Sequence, residues 1–107
     1  MPATIVMPDR DEISRRIAQA DPSGAARMLY PGILDMAGKE LHGSGVAVGL
    51  SLVILNHMEE HDYGRTSVVM MTLLKGLLPR FVTALVDDEQ ARADALAILE
   101  EARASRR

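Results

Sequence analysis

The chain reads as all-α, a small bundle of four to five helices behind an extended N-terminal arm, and three observations carry that reading. Capping residues recur ahead of apolar stretches, at Asp9, Asp21, Ser44, Thr66 or Ser67, and Asp87. The stretch from 67 to 86 keeps one broad apolar face at spacings of three and four. The final segment, EQARADALAILEEARASRR, places Ala91, Ala95, Ile98, Leu99 and Ala102 on one side and charge on the other. An α+β alternative, with Val46–Leu55 as a strand, stays open at this level.

Residues 1–8 form the arm. Thr4, Ile5, Val6 and Met7 lie between Pro2 and Pro8, which favours extended backbone. Asp9 caps a first helix with Glu12 in the capping-box position, and Ile13, Ile17 and Ala20 form its apolar edge. Asp21 before Pro22 marks a second start, because proline suits the first helical position. That helix carries Ala25, Met28 and Leu29. A kink or break is expected at Tyr30–Pro31, since a residue before proline is steered out of the helical region. A further segment runs through Ile33, Met36, Ala37 and Leu41.

His42-Gly43-Ser44-Gly45 interrupts the chain and offers Ser44 as an N-cap. The element from Val46 to Asp62 carries two periodicities. Val46, Val48, Leu50, Leu52 and Ile54 recur every second residue, while Val46, Leu50, Val53, Ile54, His57 and His61 make a helical stripe. Its length favours helix, and only the arm could supply a partner strand. Gly64 suits the position just past a helix end. Beyond it, Met70, Leu73, Leu74, Leu77, Leu78, Phe81, Ala84 and Leu85 hold one face across Pro79. That continuity predicts a single helix kinked at Pro79, with the proline on its outer side. Asp87 with Gln90 caps the last helix. Residues 9–104 then form one helical domain, and 105–107 a basic tail.

Composition narrows the function. A chain of 107 residues builds one core with incomplete burial, a size at which association often supplies the rest. Hydrophobic residues make up 48% and aromatics only 3%, so the core is aliphatic, with seven Met as adaptable filler. A net charge of -3 and a pI near 5.5 argue against nucleic-acid binding, which needs clustered Lys and Arg. The absence of cysteine removes thiol catalysis, disulfides and cysteine-ligated zinc, and suits a reducing cytoplasm. Met1 to Pro8 lacks the basic and apolar regions of a secretory leader. Val46 to Leu55 falls far short of the roughly 20 residues that span a bilayer. A soluble cytoplasmic protein, bound to neither nucleic acid nor membrane, is expected.

The densest set of metal-capable side chains follows the longest apolar run. His57 and His61, four apart on a helix, share a face with Glu60 near them, and Glu59 and Asp62 adjoin. His57-Met58-Glu59-Glu60-His61 fits the H-x-x-E-H string of inverted zinc peptidases. The chain after His61 is too short for the distant acidic ligand of those enzymes, so hydrolytic zinc is not expected. A non-catalytic divalent metal held by His57, His61 and Glu60 is the alternative reading, with His42, Glu40, Asp35, Asp87, Asp88 or Glu89 to complete it. The plainer one is a histidine pair at a helix C-terminus, favoured by the macrodipole. Thr72-Leu73-Leu74-Lys75-Gly76 echoes histidine phosphotransfer helices, but Thr72 stands at the phospho-accepting position. Dinucleotide loops, P-loops and the Gly-x-Ser-x-Gly elbow of hydrolases are absent.

Surfaces are the more productive feature. Gly43, Gly45, Ala47, Gly49 and Ser51 leave one side of their helix bare, so another backbone can approach closely. With the broad apolar face of 68–86, the chain carries more apolar surface than a monomer of this size hides. The expected function is that of a non-enzymatic interaction module, as oligomeric adaptor, accessory subunit or regulator. A homodimer or a protein partner would cover Gly45, Gly49, Leu50, Met58, Met70 and Met71. No cofactor is expected, and a divalent metal only under the alternative.

Overall fold

The computed structural model describes residues 4–61 and 67–104, with side chains at all of them except 61, 67–71, 73 and 103. Among these residues the chain is mostly helical, with five α-helices and a small two-stranded sheet. The segment with two periodicities is a helix from Gly43 to His61. Length and the aliphatic run outweigh the alternation there.

The arm contributes β1, Thr4–Val6. It leads into α1, Arg10–Ala20, capped by Asp9, whose carboxylate accepts from the Glu12 N–H at 2.8 Å. Only half of the expected capping box forms, because the Glu12 carboxylate turns to Arg15 and Arg16 instead. Ile13 and Ile17 are fully buried, as their spacing requires.

No helix starts at Pro22. Asp21 accepts from the Ala25 N–H at 3.1 Å and the Ala26 N–H at 2.9 Å, holding residues 21–26 in a turn. Local side-chain bonds of this kind give the backbone an alternative to helix. A 3₁₀ turn, Arg27–Leu29, then runs into α2, Tyr30–Leu34. Tyr30 is helical, with φ -55° and ψ -44°, so the expected break at Tyr30–Pro31 lies earlier, in the 21–26 turn. Pro31 sits in the first turn of α2, where its missing N–H is no loss.

The chain does not stay helical through Leu41. Gly38, at φ +71°, reverses it into β2, Glu40–His42. β2 pairs antiparallel with β1, with Ile5 opposite Leu41. Met7 donates its N–H to the Lys39 carbonyl at 2.9 Å and is only 2% exposed, which ties the arm into the core.

The next helix, α3 (Gly43–His61), lies mainly on the last, α5 (Glu89–Ala104), while α1 lies on α4 (Ser67–Leu85). Small residues make the first contact: Gly43, Ala47, Ala91 and Ala95 are all buried at i, i+4 spacing. α4 runs unbroken across Pro79, which is half-buried, and Thr83 donates its hydroxyl to the Pro79 carbonyl at 2.9 Å. The cap of α5 is Asp88, one residue later than expected, accepting from the Ala91 N–H at 2.8 Å. Phe81, Val82, Leu85 and Val86 close the core against Ile13, Ile17, Leu50 and Ile33. The radius of gyration, 13.3 Å, is that of one compact body of about 100 residues. No described helix is long and apolar enough to cross a membrane.

Candidate functional site

The histidine-rich end of α3 assembles little among the described residues. His57 is half-buried, Glu59 and Glu60 are exposed, and the His61 side chain lies outside the described residues. No group of three or more His, Asp or Glu among the described residues is arranged to hold a metal ion. Four of the six further ligand candidates, His42, Asp35, Asp87 and Asp88, have other roles. His42 caps the opposite end of α3, roughly 20 Å along the axis at 1.5 Å per residue. Its Nδ1 faces the Gly45 N–H at 3.4 Å and also contacts the Ser44 hydroxyl. Ser44 is therefore inside the first turn, and His42 takes the capping role expected of it. Asp35 pairs with Arg10 at 3.6 Å, Asp87 with Arg16 at 3.2 Å, and Asp88 caps α5.

Two carboxylates are tuned by their surroundings, and both are structural. Asp21 is 3% exposed and also accepts from the Tyr30 hydroxyl at 3.0 Å and the Ser23 hydroxyl at 3.2 Å. Burial pushes its carboxyl up, but the bonds from Ala26, Tyr30, Ser23 and Ala25 outweigh that and leave it below the ordinary value. Burial and the neighbouring Asp21 carboxylate raise Tyr30 in turn. On the surface, bonds from Arg15 and Arg16 hold Glu12 down at about 2. Arg16 continues that network to the Ala84 carbonyl at 3.2 Å and so links α1 to the end of α4.

The expected interface residues divide. Leu50 is 1% exposed and belongs to the core. Gly49 lies under Met36, whose Cε would be 3.1 Å from an added Cβ, and Gly45 lies beside Leu41. Met58 is half-buried against the core. The side chains of Met70 and Met71 are outside the described residues. Three residues not expected at the interface stand out instead. Val48, Leu52 and Leu55 are 51%, 50% and 45% exposed, at i, i+4 and i+7 on the outer face of α3. The signal was present: a helix apolar on nearly every side must leave one face outward unless something covers it.

Beside this stripe lies a groove of ≈ 210 Å³ between α3, α4 and α5. Ile54, Leu55, Leu78, Leu96 and Leu99 form its walls, with Lys75 and Glu100 also lining it. The Ser51 hydroxyl there is committed to the Ala47 carbonyl at 2.9 Å. A broader, shallower cleft between α1 and α4 is lined by Arg15, Arg16 and Arg80, the first two already neutralised by Glu12 and Asp87. Neither cavity gathers the convergent polar groups that catalysis needs. No protein-family model, curated protein or solved structure matches the chain.

Proposed function

We propose that this protein is a non-enzymatic interaction module that works through the outer face of α3, and that the occupant of this face is a second copy of the chain. The observation that carries the reading is the exposed stripe Val48, Leu52 and Leu55. Half of each large aliphatic side chain in water is unfavourable at about 25 cal/mol per Å² of apolar surface, which favours covering the stripe.

Symmetry favours self-association. Leu52 is the midpoint of α3, Gly43–His61, so two such helices crossing antiparallel at Leu52 present the same stripe to each other. A two-fold interface requires that self-complementarity. The same pairing brings exposed Glu59 of one helix, which lies on the line of the stripe, to the first turn of the other, which has no acidic residue of its own. Carboxylates are favoured at that positive helix end.

Because the chain has no cysteine, a single thiol reports the geometry cleanly. Leu52→Cys is expected to form a disulfide-linked dimer under mild oxidation at low micromolar concentration. Met28→Cys, at a 47% exposed site on the 3₁₀ turn and not on the α3 stripe, is the control for random collision. Equal cross-linking of the two variants, or none by Leu52→Cys, removes the α3 pairing.

A further inference from the structure

We infer that the groove between α3, α4 and α5 is a binding site for a medium-chain aliphatic carboxylate, with the alkyl chain between the leucines and the carboxylate at Lys75. This goes beyond the interaction reading; the two sites share Leu55, which both lines the groove and belongs to the outer stripe of α3, and they are told apart by variants at other residues. The lining decides the class of ligand. Ile54, Leu55, Leu78, Leu96 and Leu99 offer an aliphatic surface without an aromatic plane, so a flat ring finds nothing to stack on. The one hydroxyl, on Ser51, is spent on the backbone of its own helix. A polar substrate would lose its hydration there without replacement bonds.

Size sets the chain length. An apolar cavity of about 150 Å³ holds benzene, six carbons, so a groove of ≈ 210 Å³ takes about eight. It is smaller than the roughly 300–1,000 Å³ of sites for drug-sized ligands. Charge sets the head group. Lys75 is half-buried, and no salt bridge among the described residues takes up its ammonium. Glu100, on the same groove, is exposed and has a contact of its own. An ammonium at the edge of an aliphatic slot is complementary to a carboxylate on an alkyl tail, and a charge-assisted bond of this type is stronger than a neutral one.

The test is a titration of the full chain with octanoate, followed by calorimetry and by the methyl NMR shifts of the leucines. Saturable 1:1 binding is expected, with shifts at Leu78, Leu96 and Leu99. Lys75→Met keeps the slot and should weaken octanoate about tenfold, while leaving octanol unchanged. Leu96→Trp fills the slot and should abolish binding, with far-UV circular dichroism to establish that the variant is folded. Octyltrimethylammonium should bind more weakly than octanoate. Absence of saturable octanoate binding, undiminished binding by Lys75→Met, or a preference for the cationic amphiphile would each overturn the assignment. So would shifts confined to residues outside the groove. Lys75 and Leu96 are not on α3, so the variants that abolish octanoate binding leave the Leu52→Cys cross-linking test above readable, and failure of either reading is told from failure of the other.

Discussion

Gly43 lies so close to Ala91 that a Cβ on the glycine would stand 2.2 Å from the Ala91 carbonyl oxygen. The obstacle is backbone, which no rotamer change relieves. α3 and α5 therefore touch through Gly43 and the small residues Ala47, Ala91 and Ala95, and this contact sets the direction of α3. The outward stripe of Val48, Leu52 and Leu55 follows from it, because what α5 and the core do not cover is left to solvent.

Gly43→Ala should accordingly destabilise the fold by about 2 kcal/mol, in the range of core overpacking. Gly76→Ala is the opposite case. An added Cβ there meets nothing within 4 Å, and the residue is exposed within α4. Replacing an open helical glycine should stabilise by about 0.5–1 kcal/mol. Chemical denaturation of the two variants should move the midpoint in opposite directions, and a shared direction would contradict the packing described.

The 21–26 turn depends on one buried carboxylate. Asp21→Ala removes the acceptor of the Ala25 and Ala26 N–H groups and of the Tyr30 hydroxyl. The buried Ala26 N–H is left unmade, while Ala25 and Tyr30 keep weaker bonds to Ser23 and Ile17. The loss should be about 2–3 kcal/mol, since an unmade buried bond carries a full desolvation penalty. Tyr30→Phe removes one bond and should cost about 1 kcal/mol. Thermal unfolding measures both. A smaller loss for Asp21→Ala than for Tyr30→Phe would show that the carboxylate is not the organiser of this turn.

Acid sensitivity follows from the same groups. Asp21 and Glu12 both titrate below their ordinary values in the folded chain, Glu12 at about 2 against 4.5. For Glu12 the unfolded chain binds more protons between those values, so its contribution to stability is fully present above about pH 4.5 and is lost as pH falls towards 2; the contribution of Asp21 is likewise lost in acid. Glu12→Gln should flatten part of that acid limb, and its effect should shrink in high salt, because the Arg15 and Arg16 partners are surface groups. Denaturation midpoints at several pH values and two ionic strengths test this. An acid limb identical to that of the parent would remove Glu12 from the account.

Much of the fold is legible in the sequence because it rests on local chemistry. Asp9 announces α1, the stripe through Phe81 announces α4, and the alternation of Ala and charge announces α5. The errors share one cause: long-range or competing contacts override a local rule. Asp21 was legible as a cap, but its bonds close a turn, and the helix starts at Tyr30 despite Pro31. β2 forms only because the arm, far away in sequence, pairs with it. The glycines of α3 announce close packing, but not that the packing is internal, against α5 and Met36. Which aliphatic face stays outside depends on that choice. It is the reason Val48, Leu52 and Leu55 could not be singled out by periodicity.

For the histidines, direct metal analysis is the relevant measurement. Protein purified without an affinity tag is expected to carry less than stoichiometric Zn, Fe, Mn, Ni and Cu. His57 and His61 supply at most two ligands from one helix, and a stable site needs about four. One equivalent of metal, lost in His57→Ala, would instead support the metal-binding reading.

The central claim, that the outer face of α3 is covered by a second copy, is tested most directly by sedimentation equilibrium of the parent chain beside Leu52→Glu at tens of micromolar. The account predicts a parent mass of twice the 11.6 kDa chain, and a Leu52→Glu variant that is monomeric yet unfolds as a cooperative helical protein. A parent that stays at 11.6 kDa across that range, or a Leu52→Glu variant that dimerises as well as the parent, would contradict it.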